Sequence, residues 1–407
     1  MAKVKITGHA SGSGVITVTA PNTSTDRTIT LPDATATIAT TAATDALTTR
    51  VNATNGRKNM LINGDMKVAQ RATSITGQTD SQYSTLDRYT TFLSALGTWS
   101  LSKDANSPEG FSSSWKIDCT TAVTSISADS YFTAGQKIEG QDLQHLKYGT
   151  SAAQSVTLSF WVKSSKTGTY MCELFQDDGA VKNSITYTVS QANTWENKSM
   201  TFVGNTGTAI ANDNTSGLRV YWVLAAGSNR TSGTHSNNTW HNTTANRYPG
   251  QVNLADSTSN TFYVTGAQLE VGSAATDLEH RSYGQELSLC ERYYEIVADV
   301  SQSAESAICY AGTCFSTKSD QVNWNYTFKV EKRAAFTLEA TTGTDYYKAV
   351  NHSSSIADTA VGMTASYQPL NSVNGYITGS YSGSTEGKAW QFQLSHASAK
   401  IAVSAEL

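Results

Sequence analysis

The feature that most constrains this chain is a two-residue alternation of apolar and polar side chains that recurs between turn signals. From Val156 to Lys163, the residues Val, Leu, Phe and Val alternate with Thr, Ser, Trp and Lys. A period of two places every second side chain on the same face of a β-strand, so one face covers a core. Similar runs lie at residues 115–119, 218–224 and 262–271. Regularly spaced strands without helical patterns between them predict an all-β sandwich of the jelly-roll type.

Composition agrees with a β-rich chain. Of the 407 residues 15% are charged and 39% hydrophobic, and there are 29 Gly against 5 Pro. This balance favours sheets joined by Gly, Asn and Asp turns over helical bundles. Asp177-Asp178-Gly179 is one such predicted hairpin turn. The length exceeds one ordinary core and allows two domains plus an extended N-terminal segment.

The pattern divides the chain into four segments. Residues 1–57 contain short alternating runs but almost no large aromatic residue, so we expect an extended attachment arm and linker that needs a partner surface. Residues 58–281 are the predicted β-sandwich. Residues 282–297 are predicted to form a linking helix, and residues 298–407 a C-terminal β domain. The alternation in the last residues predicts that they pair in a sheet.

The predicted linking helix has both an N-terminal capping signal and a stripe of apolar side chains along one face. Ser282 followed by Gln285 fits a capping box, in which the two side chains satisfy the first backbone N–H groups. An apolar stripe at helical spacing then extends the predicted helix to Val297. The stripe consists of Leu287, Cys290, Tyr294 and Val297. We expect the helix to act as a hinge between the two β domains.

Charge and hydropathy exclude two partner classes. A formal net charge of -4 offers no clustered basic face of the kind that nucleic acids require. No stretch approaches the roughly 18 apolar residues of a membrane span, and the first residues lack the apolar core of a secretory signal. We therefore expect neither nucleic-acid binding nor membrane insertion, and we expect synthesis in the cytoplasm.

The cysteines and the missing motifs favour a protein that is not an enzyme. Five cysteines without a Cys-x-x-Cys pair predict buried free thiols rather than disulfides or a zinc site. No hydrolase elbow, zinc-protease, phosphate-loop or dinucleotide motif occurs. A glycosidase needs only two carboxylates at the right separation. The candidate pairs, Glu139 with Asp142 and Asp177 with Asp178, are expected to be surface turns.

The loop from Gly227 to Gly250 is the candidate ligand-binding segment. It is rich in Ser, Asn and Thr but also carries aromatic and basic side chains. Sugars offer C–H faces that stack on Trp and Tyr, and hydroxyls that pair with Asn, Arg and His. The predicted glycan-binding residues are Trp240, His241, Arg247, Tyr248 and Trp161. The alternative is that the loop aromatics anchor the loop on its own sandwich or on a neighbouring subunit, and that Trp161 packs under a loop.

A resemblance to the jelly-roll module of phage virion proteins lies in residues 59–71, NMLINGDMKVAQR, and in residues 262–270, FYVTGAQLE. The closing strand and following helix of the same family resemble residues 271–295. The N-terminal segment of phage tail-fibre and related structural proteins is similar to residues 12–38. The resemblance implies a carbohydrate-binding-module-like jelly roll carried on a virion-docking arm.

The resemblance also implies a structural calcium. In similar carbohydrate-binding modules, an Asn-Gly pair in the first strand meets an acidic residue of the last strand around the ion. Carried onto this chain, the ligands would be Asn63, Asp65 and Glu270, and calcium requires such oxygen ligands. Met66 and Lys67 depart from the family, which has an acidic residue there. The alternative is a turn or bulge in which Asp65 accepts backbone hydrogen bonds. No other cofactor is expected.

Three functions stay open from the sequence. We expect a tail-fibre or receptor-binding protein of the phage particle, a homotrimer that docks on other virion proteins through residues 1–57 and attaches to host-surface glycans. Several copies would multiply weak contacts. The alternative is a capsid or tail decoration protein that binds no receptor, and a third reading is a polysaccharide-degrading tailspike. Light scattering that showed a monomeric full-length chain would contradict the trimer.

Overall fold

The computed structural model describes residues 58–299, 313–318, 321–351, 356–360, 363–378, 389–396 and 398–407. The predicted arm, residues 1–57, lies outside the described residues. Most of the regular structure in these ranges is β-strand, which confirms the all-β class. Within them, no helix combines the length and apolar character needed to cross a membrane.

Two antiparallel sheets face each other in the segment before residue 272. Sheet A has the strand order β1-β3-β4-β11-β6-β9, and sheet B has the order β2-β5-β10-β7-β8. The strands are β1 Ser74–Gln78, β2 Tyr89–Ser94, β3 Thr98–Asp104, β4 Ser114–Thr121, β5 Tyr131–Glu139, β6 Val156–Ser164, β7 Gly168–Gln176, β8 Val181–Val189, β9 Glu196–Phe202, β10 Ser216–Ala226 and β11 Thr261–Val271. Short helical turns lie at Gly140–Leu146, Asp178–Ala180, Ser228–Thr231, Thr244–Asn246 and Leu254–Asp256.

The core between the sheets follows the alternation in the sequence. Every second residue of β6, from Val156 to Val162, is buried in it, which confirms the predicted facing of this strand. Trp222 on β10 lies at the centre, and its ring centroid is 5.6 Å from that of Phe160 and 6.3 Å from that of Tyr89. Fully burying each large apolar side chain contributes about 1.5–3 kcal/mol, so this cluster holds the two sheets together.

A turn that contains a glycine joins strands β7 and β8 into a hairpin. The predicted turn at Asp177-Asp178-Gly179 is confirmed, since it joins these paired strands directly. Gly179 has φ 73°, in the left-handed region that favours glycine. The hairpin places Phe175 opposite Lys182.

The linking helix is shorter than predicted. It spans Tyr283–Glu291, and Ser282 with Gln285 forms the predicted capping box. The extension to Val297 is wrong, because Tyr294–Asp299 forms strand β12, which pairs with the C-terminal strand. Cys290 packs with Ile62 of the sandwich in a small apolar cluster, so the helix lies against the sandwich.

The C-terminal segment is also β. Its strands are β12 Tyr294–Asp299, β13 Thr313–Lys318, β14 Gln321–Thr327, β15 Thr337–Ala340, β16 Tyr347–Asn351, β17 Ile356–Ala360, β18 Met363–Tyr367, β19 Ser372–Thr378, β20 Ala389–Leu394 and β21 Lys400–Ser404. They form one sheet in the order β12-β21-β15 and another in the order β17-β16-β20-β13-β14-β19-β18. β21 pairs with β12 and β15, which confirms that the last residues are paired.

The C-terminal residues join this segment to the sandwich through buried charge. Glu406 forms ion pairs with Arg88, the side chain of which is 1% exposed, and with Arg71. The guanidinium of Arg88 also lies 3.4 Å from the ring centroid of Tyr293. A second contact joins the two segments, in which Arg333 Nη1 donates to the main-chain oxygen of Asn214 at 2.6 Å. We call the Arg71, Arg88 and Glu406 group the Glu406 clamp.

The described thiols are free and buried, as the sequence predicts. They are Cys119, Cys172 and Cys290, and burial raises the pKa of each. Cys309 and the side chain of Cys314 lie outside the described part of the chain.

Candidate functional site

The loop of residues 227–250 folds onto sheet B through a buried carboxylate. Glu173 on β7 is fully buried, and it accepts hydrogen bonds from the Arg247 guanidinium and, at 2.9 Å, from the Tyr248 hydroxyl. Tyr248 itself is 0% exposed and packs against Met171 and Val223. Burial raises the pKa of Tyr248 well above its ordinary value. These contacts anchor the loop.

This anchoring corrects one sequence prediction. Tyr248 as a stacking surface for a sugar is wrong, because its ring is enclosed by the sandwich. Trp240 is half-buried, donates from Nε1 to the main-chain oxygen of Val203 at 2.7 Å, and meets Tyr148 edge-on at 5.7 Å. His241 pairs through its main chain with Lys182, and burial lowers the pKa of its imidazole. Contact of Trp240, His241 or Arg247 with a glycan stays a prediction.

A cluster of aromatic residues lies instead on the outer face of sheet A. Trp161 on β6 points away from the core, opposite Asn197 of β9 and Thr265 of β11. Trp195, just before β9, meets Tyr263 of β11 edge-on, with ring centroids 6.0 Å apart. All three rings are half-buried. Side chains one row apart on neighbouring strands are within reach of each other.

Polar groups connect two of these rings, those of Trp195 and Tyr263. Lys163 Nζ lies 4.2 Å from the ring centroid of Tyr263 and 5.4 Å from that of Trp195. Asn106 Oδ1 accepts hydrogen bonds from Lys163 Nζ at 2.6 Å and from Trp195 Nε1 at 3.1 Å. Its Nδ2 group has no acceptor among the described residues. We call Trp161, Trp195, Tyr263, Lys163 and Asn106 the aromatic patch.

A glycine supports one end of the aromatic patch. Gly266 has φ 63° at a bulge of β11, and a Cβ atom there would lie 2.7 Å from the Phe111 ring and 3.2 Å from Trp161. Only glycine allows this close approach without displacing a ring. The bulge therefore fixes Trp161 beside Phe111 and leaves the ring half-exposed.

Two lysine ammonium groups, those of Lys163 and Lys116, lie in or beside the aromatic patch. Burial lowers the pKa of Lys163 below its ordinary value. On strand β4, which pairs with β11, a hydrogen bond to Asp118 raises the pKa of Lys116. Aromatic faces beside an ammonium and a free amide donor are suited to a ligand that has C–H faces and hydroxyl groups.

Sequence reasoning found Trp161 and missed Trp195 and Tyr263. Tyr263 carries a signal, because it alternates with the core residues Phe262 and Val264 and so must face outward. Trp195 lies in a turn before its strand and has no such signal. That these residues meet depends on strand register, which the sequence does not encode locally.

The predicted calcium ligands have partners within the fold, and calcium binding by them stays a prediction. Asn63 Oδ1 accepts from the Val68 N–H at 2.9 Å, which is a local turn. Asp65 forms an ion pair with Lys67, so its charge already has a partner. Glu270 accepts from the backbone and the hydroxyl of Thr276. Among the described residues, no group of three or more His, Cys, Asp or Glu could hold a metal.

The carboxylates considered for catalysis have structural partners. Burial alone would raise the pKa of Glu139, but hydrogen bonds from Arg292 and Tyr293 outweigh it and hold the pKa below its ordinary value. Asp177 pairs with Arg219, and Asp178 accepts from the Ala211 N–H at 3.0 Å. Each of these carboxylates therefore supports the fold locally.

No protein-family model matches the chain, and no curated protein matches it. Partial similarity exists to the enzymatically active domain of tailspike protein 4 from bacteriophage CBA120, with 13% identity over 53% of this chain and a TM-score of 0.26. The match spans 21% of the tailspike chain, about a fifth of its length.

Carbohydrate-binding modules are similar to a comparable degree. The C-terminal family 22 module of Clostridium thermocellum Xyn10B shares 11% identity over 55% of this chain and 99% of its own, with a TM-score of 0.28. The tandem family 22 modules of Paenibacillus barcinonensis Xyn10C share 8% identity over 87% of this chain and 99% of their own, with a TM-score of 0.26. Similarity this low supports no functional conclusion, which must come from the side chains.

Proposed function

We propose that this chain is a non-enzymatic structural protein of a phage particle that binds host-surface glycans through the aromatic patch. Residues 1–57 would attach it to other virion proteins and bring copies together as a trimer. The support for the virion setting is the sequence resemblance of residues 12–38 and 59–71 to phage structural proteins.

The observation that carries the glycan-binding part is the position of Trp161, Trp195 and Tyr263. Beside them on β9, the outward residues Asn197 and Ser199 are exposed and polar, whereas the three large rings, each half-buried, leave apolar surface in contact with water. Asn106 and Lys163 add hydrogen-bond donors within the same cluster. A saccharide matches both properties because its rings have apolar faces and polar edges.

Binding to a glycan array tests this proposal. Fluorescently labelled full-length protein should bind host-type polysaccharide, and Trp161→Ala and Trp195→Ala should each weaken binding at least tenfold, about 1.4 kcal/mol. Tyr283→Ala is the matched control, since Tyr283 is an aromatic residue that is 55% exposed and lies outside the aromatic patch. It should bind like the unchanged chain.

Three results would overturn the proposal. One is unchanged binding by both tryptophan variants. A second is a folded full-length protein that binds no host glycan and lies on capsomers in an image of the particle, which would identify a decoration protein. The third is release of reducing sugar from host polysaccharide, which would instead show a tailspike enzyme.

A further inference from the structure

The loop of residues 227–250 covers one open side of the sandwich. There β8 is an edge strand of sheet B, and β9 is an edge strand of sheet A. Residues 234–243 of the loop form hydrogen bonds with both edges, and we call this segment the strap. Edge strands present unpaired N–H and C=O groups, which proteins cover to prevent unwanted pairing. The strap therefore takes the place of a further strand.

Main-chain hydrogen bonds hold the strap to β8. His241 and Lys182 pair as in an antiparallel sheet, and each N–H donates to the main-chain oxygen of the other residue at 2.9 Å. Farther along the same edge, the Asn238 N–H donates to the main-chain oxygen of Ser184 at 3.1 Å. The strap thus satisfies part of the free edge of sheet B.

Two side chains connect the strap to the other sheet. Asn238 Nδ2 donates to the main-chain oxygen of Thr201 at 3.0 Å, and Asn238 Oδ1 accepts from the Val203 N–H at 3.0 Å. Trp240 Nε1 donates to the main-chain oxygen of Val203. Each residue of the strap is exposed or half-buried, whereas Tyr248, later in the same loop, is 0% exposed. A segment that hydrogen bonds hold without fully buried side chains opens at a low cost in free energy.

The imidazole nitrogens of His241 are enclosed where the strap meets β8. Neither nitrogen is open to solvent, and neither makes a hydrogen bond of ordinary geometry with the described residues. A neutral imidazole has one N–H group, whereas an imidazolium has two together with a full positive charge. Burying unpaired donors and charge costs free energy. The closed strap therefore accommodates the neutral ring and disfavours the charged one.

The charged groups that face this imidazole do not compensate a proton on it. They are Glu173 on β7, Lys182 on β8 and His235 on the strap itself. Glu173 is already paired with Arg247. Lys182 carries a like charge, and so would a protonated His235. Burial is the main cause that lowers the pKa of His241, and Lys182 and His235 add to it, although Glu173 and the main chain of the strap oppose the change.

We propose that acid releases the strap, which leaves the edges of β8 and β9 when His241 takes up a proton. The charged ring is disfavoured in the closed strap and solvated in the open one, so the proton favours opening. The contacts of Glu173 with Arg247 and Tyr248 keep the base of the loop in place. Release uncovers main-chain N–H and C=O groups on both edges. This inference does not depend on the proposed glycan-binding function.

Hydrogen exchange followed by mass spectrometry measures the opening in the full-length protein. Above pH 6.5, the ordinary pKa of histidine, the ring is neutral in both states and the closed strap has its full stability. Below pH 6.5 the open state takes up the proton first, so its population should rise, by at most about thirtyfold at pH 5. Peptides from residues 234–243 should lose protection about tenfold or more between pH 7.5 and pH 5, after correction for the intrinsic exchange rate. Peptides from β6 should not change.

A phenylalanine variant shows whether this ring is responsible. Because the imidazole nitrogens make no ordinary hydrogen bond, His241→Phe should keep the strap closed at pH 7.5 and abolish the loss of protection at pH 5. His241→Gln, which takes up no proton either, should give the same flat profile. His145→Phe is the matched control and should keep the full pH dependence, since His145 lies outside the loop and burial lowers its pKa too.

Four results would overturn the proposal. One is strap protection that does not change between the two pH values. Another is the full pH dependence in His241→Phe. A third is loss of the pH dependence in His235→Gln instead, which would assign the proton to His235. The fourth is a strap that is open at pH 7.5 in both His241 variants, because the neutral ring would then be needed to hold it.

Discussion

Glu173 is fully buried on β7 and takes the Arg247 guanidinium and the Tyr248 hydroxyl as its partners. A carboxylate at 0% exposure costs several kcal/mol unless it is paired and hydrogen-bonded. Arg247 and Tyr248, whose side chains could bind a sugar, instead compensate the buried charge of Glu173. Trp161 has the same kind of chemistry but lies half-buried on the outer face of its sheet, close to Gly266 and Phe111.

The ammonium group of Lys137 makes the stability of the folded protein depend on pH. Its folded pKa of about 8 lies below the ordinary 10.5, so the ammonium costs stability at neutral pH, and that cost disappears as the pH rises through 8 towards 10.5. The free energy of unfolding should therefore rise between pH 7 and pH 9, measured by urea unfolding at both values.

Two variants check the origin of that rise. Lys137→Gln should show a flatter profile than the unchanged chain, because the titrating group is gone. Lys198→Gln should keep the full slope. An equally steep profile in Lys137→Gln would assign the titration to another group.

At the scale of elements, the helix Tyr283–Glu291 begins where the sequence places it and ends earlier. The capping box is a local signal, three residues apart, so Ser282 and Gln285 could be read without knowing the fold. Tyr294 and Val297 continue the helical spacing by coincidence, and β21, more than 100 residues later, pairs with this segment as a strand. Tertiary pairing thus overrides a local pattern.

The capping box can be tested on its own. Ser282→Ala should lower the free energy of unfolding by about 1 kcal/mol, because the hydroxyl accepts a hydrogen bond from the Gln285 N–H. Chemical unfolding followed by circular dichroism measures the change. Ser288→Ala, in the exposed middle of the same helix, is the control and should be neutral or slightly stabilising, since alanine favours helix. Equal losses in both variants would mean that the cap contributes nothing.

In the candidate site too, the local facing of a strand can be predicted from the sequence, whereas contacts between distant strands cannot. Alternation within β6 predicts correctly that Phe160 is buried and Trp161 faces outward, because strand facing is local. The meeting of Trp195 with Tyr263 depends on register between strands far apart in sequence. The prediction for Tyr248 is wrong for a similar reason, since its partner Glu173 lies 75 residues away.

At the scale of the whole described structure, the Glu406 clamp joins the sandwich to the C-terminal sheets. The side chains of Glu406 and Arg88 are 6% and 1% exposed. Removing one partner of a buried ion pair leaves an uncompensated charge, which costs about 3–5 kcal/mol. Glu406→Gln should lower the free energy of unfolding by that amount, measured by urea unfolding at neutral pH.

A surface pair provides the comparison for the clamp. Glu196 and Lys198 form a more exposed ion pair on sheet A, with side chains that are 16% and 20% exposed. Glu196→Gln should cost less than about 1 kcal/mol, the usual limit for an exposed pair. A Glu406→Gln loss no larger than this would show that the clamp contributes no more than a surface ion pair.

The clamp also sets an order of events during synthesis. Arg88 precedes its partner Glu406 by 318 residues, so a ribosome finishes the sandwich long before the carboxylate exists. Closing so long a loop costs entropy before any contact rewards it, which makes such contacts late and slow. Until then, the Arg88 guanidinium of the newly made sandwich lacks its Glu406 partner. In the complete structure the same guanidinium is buried away from water. Sealing that site therefore follows the folding of the sandwich.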